Sequence, residues 1–215
     1  MTLRDLSHPI EPGMPVYPGG DPVSVEPGFT FDEGGVRTTE FALDSHNGTH
    51  IDAPSHMARD GRDLADFDIA DFRFDARLVD CTDLGDRDPI PADRVPQFDP
   101  TSSIGLLVFR TDWSQHWGTD RYFDHPYLSA EAARAAAGRG VDVAMDVMSP
   151  DPTPSENARE AEPEGHPAHD ALFAEGCRII ENLQHLAGLP TRFTLHAYPL
   201  PLGRDGAQIR AVADY

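Results

Sequence analysis

The 215-residue chain carries 37 acidic residues, 26 of them Asp, against 17 basic ones, all arginine, for a formal net charge of −20. That balance repels phosphate backbones and anionic bilayers, which argues against nucleic-acid and membrane partners, and the length suits one domain over residues 1–215. No apolar run approaches the ~20 residues of a spanning helix and Met1-Thr2-Leu3-Arg4-Asp5 lacks signal-peptide order, so the expectation is a soluble, cytoplasmic protein; its lysine-free acidic surface fits a halophilic host, because salt screens self-repulsion.

Residues 8–22 hold five prolines and three glycines, which predicts an extended, turn-rich loop able to lie over a site. Thr38 to Leu43 and Thr49 to Ile51 read as strand material, and Arg77 to Cys81 and Gly105 to Arg110 are apolar runs of buried-strand length. Ser129 caps a helix running to Ala137, which Gly138 and Gly140 stop, and Val141 to Met145 follows as a strand. A second such unit runs from Pro167 to Glu175 and on through Gly176 to Arg178-Ile179-Ile180, with the stretch 151–165 as a long loop between the two. Asp205-Gly206 marks a turn of a C-terminal hairpin. Strands with interspersed helices predict a single α/β domain with a mixed sheet. Cys81 and Cys177, far apart in apolar stretches, read as buried reduced thiols.

The chemistry concentrates in His46-Asn47-Gly48-Thr49-His50-Ile51-Asp52-Ala53-Pro54-Ser55-His56. His46, His50, Asp52 and His56 all fall on even positions, so an extended chain presents them on one face, with Gly48 leaving space between His46 and His50. Gly48, Thr49, Ile51 and Pro54 oppose a helix. Two imidazoles and a carboxylate suit Zn(II) and accept Mn(II) or Fe(II). The set is incomplete, and residues 166–185 offer His166, His169, Glu181 and His185. Among the remaining candidates, Trp113, His116, Trp117, Tyr122 and Phe123 form an aromatic group that fits a pocket for a planar substrate or, more often, a core or subunit interface. Tyr17 in the Pro/Gly loop is a further pocket candidate, and Ser149 beside the long loop fits either a substrate contact or, more readily, a turn residue. No Gly-x-Ser-x-Gly elbow is present.

The run His46-x-Gly48-Thr49-His50-x-Asp52-x-Pro54-x-His56 resembles the signature of the cyclase family of metal-dependent hydrolases, which includes bacterial kynurenine formamidases and isatin hydrolases. The likeness extends to Asp5-Leu6-Ser7-His8-Pro9-Ile10, Tyr17-Pro18-Gly19, Arg110-Thr111-Asp112-Trp113, Asp146 with Ser149-Pro150-Asp151, Glu181-Asn182-Leu183 and the segment from Asp205 to Val212. The resemblance implies a swivelling β/β/α fold, a homodimer or larger assembly, and one or two divalent ions. It makes His46, His50 and Asp52 ligands of a first metal, with Asp52 bridging to a second held by His169 and Glu181. The resemblance prefers His169 to His166, because family members place a His twelve residues before that Glu. His56 matches the family's catalytic histidine, a proton carrier near neutral pH. The activity implied is water attack on a small amide-type carbonyl, an arylformamidase-like hydrolysis of the N-formylkynurenine class. A cyclic amide or lactone at the same site, or a metal-binding protein without turnover, are the alternatives.

Overall fold

In the computed structural model, which describes residues 1–97, 99 and 102–215, alternate side chains of Leu106–Arg110 enter different cores. Leu106 and Val108 join one cluster, and Leu107 and Phe109 the other. That alternation is the two-residue period of a strand buried on both faces. In chain order the strands are β1 (Leu3–Asp5), β2 (Ser24–Pro27), β3 (Thr39–Ala42), β4 (His50–Asp52), β5 (Arg73–Asp80), β6 (Pro89–Ile90), β7 (Leu106–Arg110), β8 (Tyr127–Leu128), β9 (Asp142–Met145), β10 (Ile179–Glu181), β11 (Arg192–Pro199) and β12 (Gly206–Asp214). The helices are α1 (Phe31–Gly34), α2 (Ala130–Ala137) and α3 (Pro167–Ala174), with several short 3₁₀ turns between elements.

Seven strands run in the order β12-β11-β5-β7-β9-β10-β4, and β4 pairs again with β12, which closes the sheet into a barrel; β1 extends it beyond β12. The middle strands β5, β7, β9 and β10 are parallel and the rest antiparallel. Parallel neighbours need crossovers. Between β7 and β9 the crossover contains α2; between β9 and β10 it contains α3. The barrel interior is filled by Ile51, Phe74, Leu106, Val108, Ile180 and Leu195 together with alanines such as Ala144, Ala207 and Ala211, while α2 and α3 pack on the outer face of β7, β9 and β10.

The two longer helices form where local rules place them. Ser129 accepts a hydrogen bond from the Ala132 N–H, and Ala132, Ala133, Ala136 and Ala137 make one buried stripe. Pro167 starts α3 at a position whose N–H would have no helical partner. Residues 8–22 hold no strand or helix, β11 and β12 form the expected C-terminal hairpin, and Cys81 and Cys177 are buried free thiols. Burial pushes both thiols up to about 12. No helix among the described residues is long and apolar enough to cross a membrane.

The run 46–56 is not the continuous extended segment its parity predicted. Only His50–Asp52 is strand. Gly48 sits in a turn at φ +69°, with Met14 Cε only 3.0 Å from where its Cβ would be, so it supplies a left-handed turn and not free space. Pro54–His56 is one 3₁₀ turn. His46 and His56 are brought to the site by these two turns and not by a shared strand face.

Candidate metal centre

On β4, Ile51 points into the barrel, so His50 and Asp52 point outward beneath α3. The neighbouring rungs match them: Glu181 of β10 pairs with His50, and Gly206 and Gln208 of β12 pair with Asp52 and His50. Ile180 faces inward, which turns Glu181 to the same outer face. His50, Asp52 and Glu181 are therefore buried side by side, two carboxylates and an imidazole at 1–6% exposure, an arrangement that requires compensating positive charge. Gln208 Nε2 donates to the carbonyls of Asp44 (2.7 Å) and Asn47 (3.1 Å) and so anchors the turn that carries His46.

The imidazoles are oriented from behind. His50 Nδ1–H donates to the Gly48 carbonyl at 2.8 Å, which leaves Nε2 as the lone-pair nitrogen. That atom is buried and without a hydrogen-bond partner. It lies 3.1 Å from Asp52 Oδ1, off the alignment for a hydrogen bond, and 3.4 Å from Glu181 Oε2. His169 Nδ1–H donates to Asp151 Oδ2 at 2.7 Å, and its Nε2 lies 3.5 Å from Glu181 Oε1. Asp151, fully buried, also accepts the Ala168 and His169 N–H groups at the start of α3. His46 touches a carboxylate through each nitrogen: Asp52 at 2.7 Å from Nδ1 and Asp205 at 2.8 Å from Nε2. Donor atoms of His46, His50 and Asp52 lie within 4.8 Å of one another, as do those of Asp52, His169 and Glu181. Carboxylates and imidazole lone pairs converging from several elements, each imidazole held by a second hydrogen bond, fit a divalent cation.

The electrostatics point the same way. Burial alone would lower the pKa of His46 and His169, but the Asp52 and Asp205 hydrogen bonds lift His46 to about 9, and those of Asp151 and Glu181 lift His169 to about 10. His50 is raised as well, because the charge of Asp52 outweighs its burial. Glu181 is raised by burial and by the neighbouring Asp52, whereas Asp52 is driven well below the usual carboxylate range by His50 and His46 despite its burial. Protons on these imidazoles stand where a cation's charge would act.

His56 differs. Its ring lies against that of His46, tilted by 34° with centroids 3.8 Å apart, and its Nδ1 lies 3.8 Å from Asp205 Oδ2. Burial outweighs the nearby carboxylates and lowers it to about 4, so its imidazole is neutral at pH 7. It faces a cavity of about 650 Å³ whose wall also includes Tyr17, Met148, Ser149, His166 and His169.

Of the residues singled out in the sequence, the structure brings together His46, His50, Asp52, His56, His169 and Glu181, with Tyr17 and Ser149 on the cavity wall. Trp113 is not brought there: its indole is 3% exposed within the core cluster and donates to the Arg121 carbonyl. Its aromatic neighbours Trp117, Tyr122 and Phe123 pack with it, leaving the core reading. His185 is exposed near the Asp5 carbonyl, away from the site. His166 lines the cavity, and its donor atom falls within 4.8 Å of those of Asp151 and His169. Sequence reasoning gave no role to Asp151 and Asp205, which orient His169 and His46. The signal for each was a carboxylate beside a motif turn, and nothing local says which imidazole it meets.

The family model described as "Putative cyclase" matches residues 4–152. The chain is 32% identical over 214 residues to the kynurenine formamidase of Bacillus cytotoxicus and 31% identical over the same length to that of Bacillus cereus; each alignment covers 97% of this chain and 95% of the relative. Its fold matches isatin hydrolase A from Ralstonia solanacearum with a TM-score of 0.84 at 23% identity, over 99% of this chain and 91% of that one, a likeness of fold. It also matches a "predicted metal-dependent hydrolase" from Bacillus stearothermophilus with a TM-score of 0.76 at 28% identity, over 99% and 97% of the two chains.

Proposed function

The chain belongs to the cyclase family of metal-dependent hydrolases, and from that premise we propose that it hydrolyses N-formyl aryl amines of the N-formylkynurenine class. It is a hydrolase of small amides, acting on carbon–nitrogen bonds other than peptide bonds. The observation that carries the site assignment is the buried His50 Nε2, which has no hydrogen-bond partner and faces Asp52 and Glu181 below a cavity walled by the neutral His56.

In this reading His46, His50 and Asp52 hold one divalent ion, and Asp52, His169 and Glu181 hold a second. The mixed nitrogen and oxygen donors favour Zn(II), with Mn(II) accepted. When bound, such an ion supplies Lewis acidity that makes water nucleophilic near neutral pH and polarises the substrate carbonyl. The protein's own side chains do the rest. With its Nδ1 turned toward Asp205, His56 has Nε2 left to take a proton from the attacking water and return it to the departing nitrogen. Asp205 and Asp151 hold the rings of His46 and His169 still. Tyr17 and Ser149 meet the substrate from the cavity wall, and burial of the base of the cavity strengthens every charge interaction there.

The same reading makes the enzyme a cytoplasmic homodimer or larger homo-oligomer. Supporting the assembly, Phe29, Phe31 and Phe41 on the β2–β3 arm are 62%, 67% and 65% exposed. The functional test is elemental analysis of purified protein combined with turnover on formanilides, lactams and lactones. Divalent metal together with fastest turnover of a formanilide is expected. Full activity after exhaustive chelation would overturn the metal assignment, and a lactam turned over faster than any formanilide would transfer the substrate assignment to cyclic amides.

A further inference from the structure

Asn182 follows Glu181 at the end of β10 with φ +58°, a left-handed conformation that Asn tolerates and most residues resist. It is 1% exposed, and each of its polar groups is used. Its N–H donates to the Val147 carbonyl at 2.9 Å, and its carbonyl accepts the Thr49 hydroxyl at 2.7 Å. The side-chain Nδ2 donates to the Gly48 carbonyl at 3.0 Å, and Oδ1 accepts the Tyr122 hydroxyl at 2.8 Å. The amide cannot be reversed: the Gly48 carbonyl only accepts, so nitrogen must face it, and the oxygen is left for Tyr122. Burial raises Tyr122 well above its ordinary range, so its hydroxyl keeps the proton it donates.

The Gly48 carbonyl is the same group that receives His50 Nδ1–H. Asn182 thus fixes the direction of the one acceptor that sets the tautomer and tilt of His50. Through the Thr49 contact it also ties the turn carrying His46 to the strand carrying Glu181. We propose that Asn182 is a positioning residue of the metal centre: the chain Tyr122–Asn182–Gly48–His50 holds His50 Nε2 toward Asp52 and Glu181. This rests on the reading of His50 as a metal ligand.

The probe is Co(II) alone, whose visible absorption reports the donor set and geometry, with affinity measured by calorimetry. Asn182→Gly keeps the left-handed backbone and deletes the carboxamide, and Tyr122→Phe deletes only the hydroxyl that locks the carboxamide. Asn182→Gly is expected to bind Co(II) about ten- to a hundred-fold more weakly with an altered visible band, and Tyr122→Phe to shift both in the same direction by less. A purely structural role would lower the melting temperature and leave the spectrum and affinity of the folded protein unchanged, and that result for Asn182→Gly would overturn the assignment. Should Asn182→Gly fail to fold, Tyr122→Phe decides alone, an unchanged spectrum and affinity counting against the chain. If the wild type takes up no Co(II), the metal reading itself falls, and this assignment with it.

Discussion

Gly206 stands on the rung beside Asp52 with its bare Cα turned to His46: a Cβ built there would lie 2.7 Å from His46 Cε1 and 3.1 and 3.2 Å from the two ring nitrogens. The backbone of Gly206 lies outside the left-handed region, so alanine meets no conformational obstacle there. The three atoms nearest to that Cβ all belong to the His46 ring. Gly206→Ala should therefore displace that imidazole and weaken metal binding by about one to two orders of magnitude, the usual effect of disturbing a ligand's support, while the melting temperature moves by only a few degrees, or about 1 kcal/mol. Calorimetric metal titration beside a melting curve checks it. Wild-type affinity in the variant would mean that His46 does not bind the ion in the orientation seen here.

A second constraint acts on the segment between Asp151 and His166. The buried Arg87 guanidinium pairs with Glu162 through Nε and Nη2, both at 2.5 Å, and Nη1 donates to the Thr153 carbonyl and Ser155 Oγ, both at 3.0 Å. It clamps the segment between Asp151 and His166. The chain has no lysine, so trypsin can cut only at arginines, and Arg159 lies in that segment, itself bonded to the carbonyls of Asp86 and Arg87. Arg87→Met should open the segment and speed tryptic cleavage after Arg159 at least about tenfold, since local opening controls such cuts. Mass spectrometry of timed digests gives the answer; first cleavage elsewhere at an unchanged rate would remove the clamp.

The ease of reading differed across the site. His50 and Asp52 were legible because Ile51 between them is apolar and β-branched, a short strand with one polar face. Glu181 was legible because a carboxylate ends the apolar run Ile179-Ile180. Asp205 and Asp151 were not, since each meets its histidine across 159 and 18 residues of chain, a separation set by barrel register. The closure of β4 between β10 and β12 is likewise a property of pairing between remote strands. Trp113 misled because aromatic clustering signals a core as readily as a pocket, and here the core took it.

The acidic surface makes a salt prediction. With 37 carboxylates against 17 arginines, at least 20 carboxylates lack a one-to-one arginine partner. Screening relieves their repulsion more than it weakens exposed pairs such as Arg94–Asp83. Raising KCl from 0.1 to 2 M should stabilise the fold by on the order of 1–3 kcal/mol, or about 3–10 °C in melting temperature. A flat or falling melting curve would end the halophilic reading.

His125, outside the proposed metal ligands, makes a pH prediction. Burial lowers it to about 4, and its Nε2 meets Thr153 Oγ1 at 2.6 Å. Between pH 6.5 and 4 the unfolded chain binds a proton there that the folded chain refuses, so stability falls as pH falls through that window. The loss by pH 5 is about 2 kcal/mol from this residue. His125→Gln removes the titration at some cost to packing, so it should be less stable than wild type at pH 7.5 yet lose less between pH 7.5 and 5. Urea unfolding at the two pH values, both proteins in chelator, measures the slopes. Equal slopes would show that His125 is not the buried neutral group.

The last expectation concerns His56, set at a tilt against the His46 ring, neutral at pH 7 and facing the cavity. His56→Asn keeps a polar side chain of similar reach and removes the titrating ring. Metal content should survive, because His46, His50, Asp52, His169 and Glu181 converge without it. Turnover of a formanilide should fall by roughly two to four orders of magnitude, the usual share of general acid–base catalysis, with a much smaller change in KM. An activated ester should suffer less, since its leaving group departs without needing a proton. Metal stoichiometry is measured first, then turnover on the amide and the ester side by side. Metal lost with the side chain would make His56 a ligand, and full turnover with metal in place would leave it no catalytic part; a large loss on the amide, a small one on the ester and an unchanged ion count together identify the proton carrier.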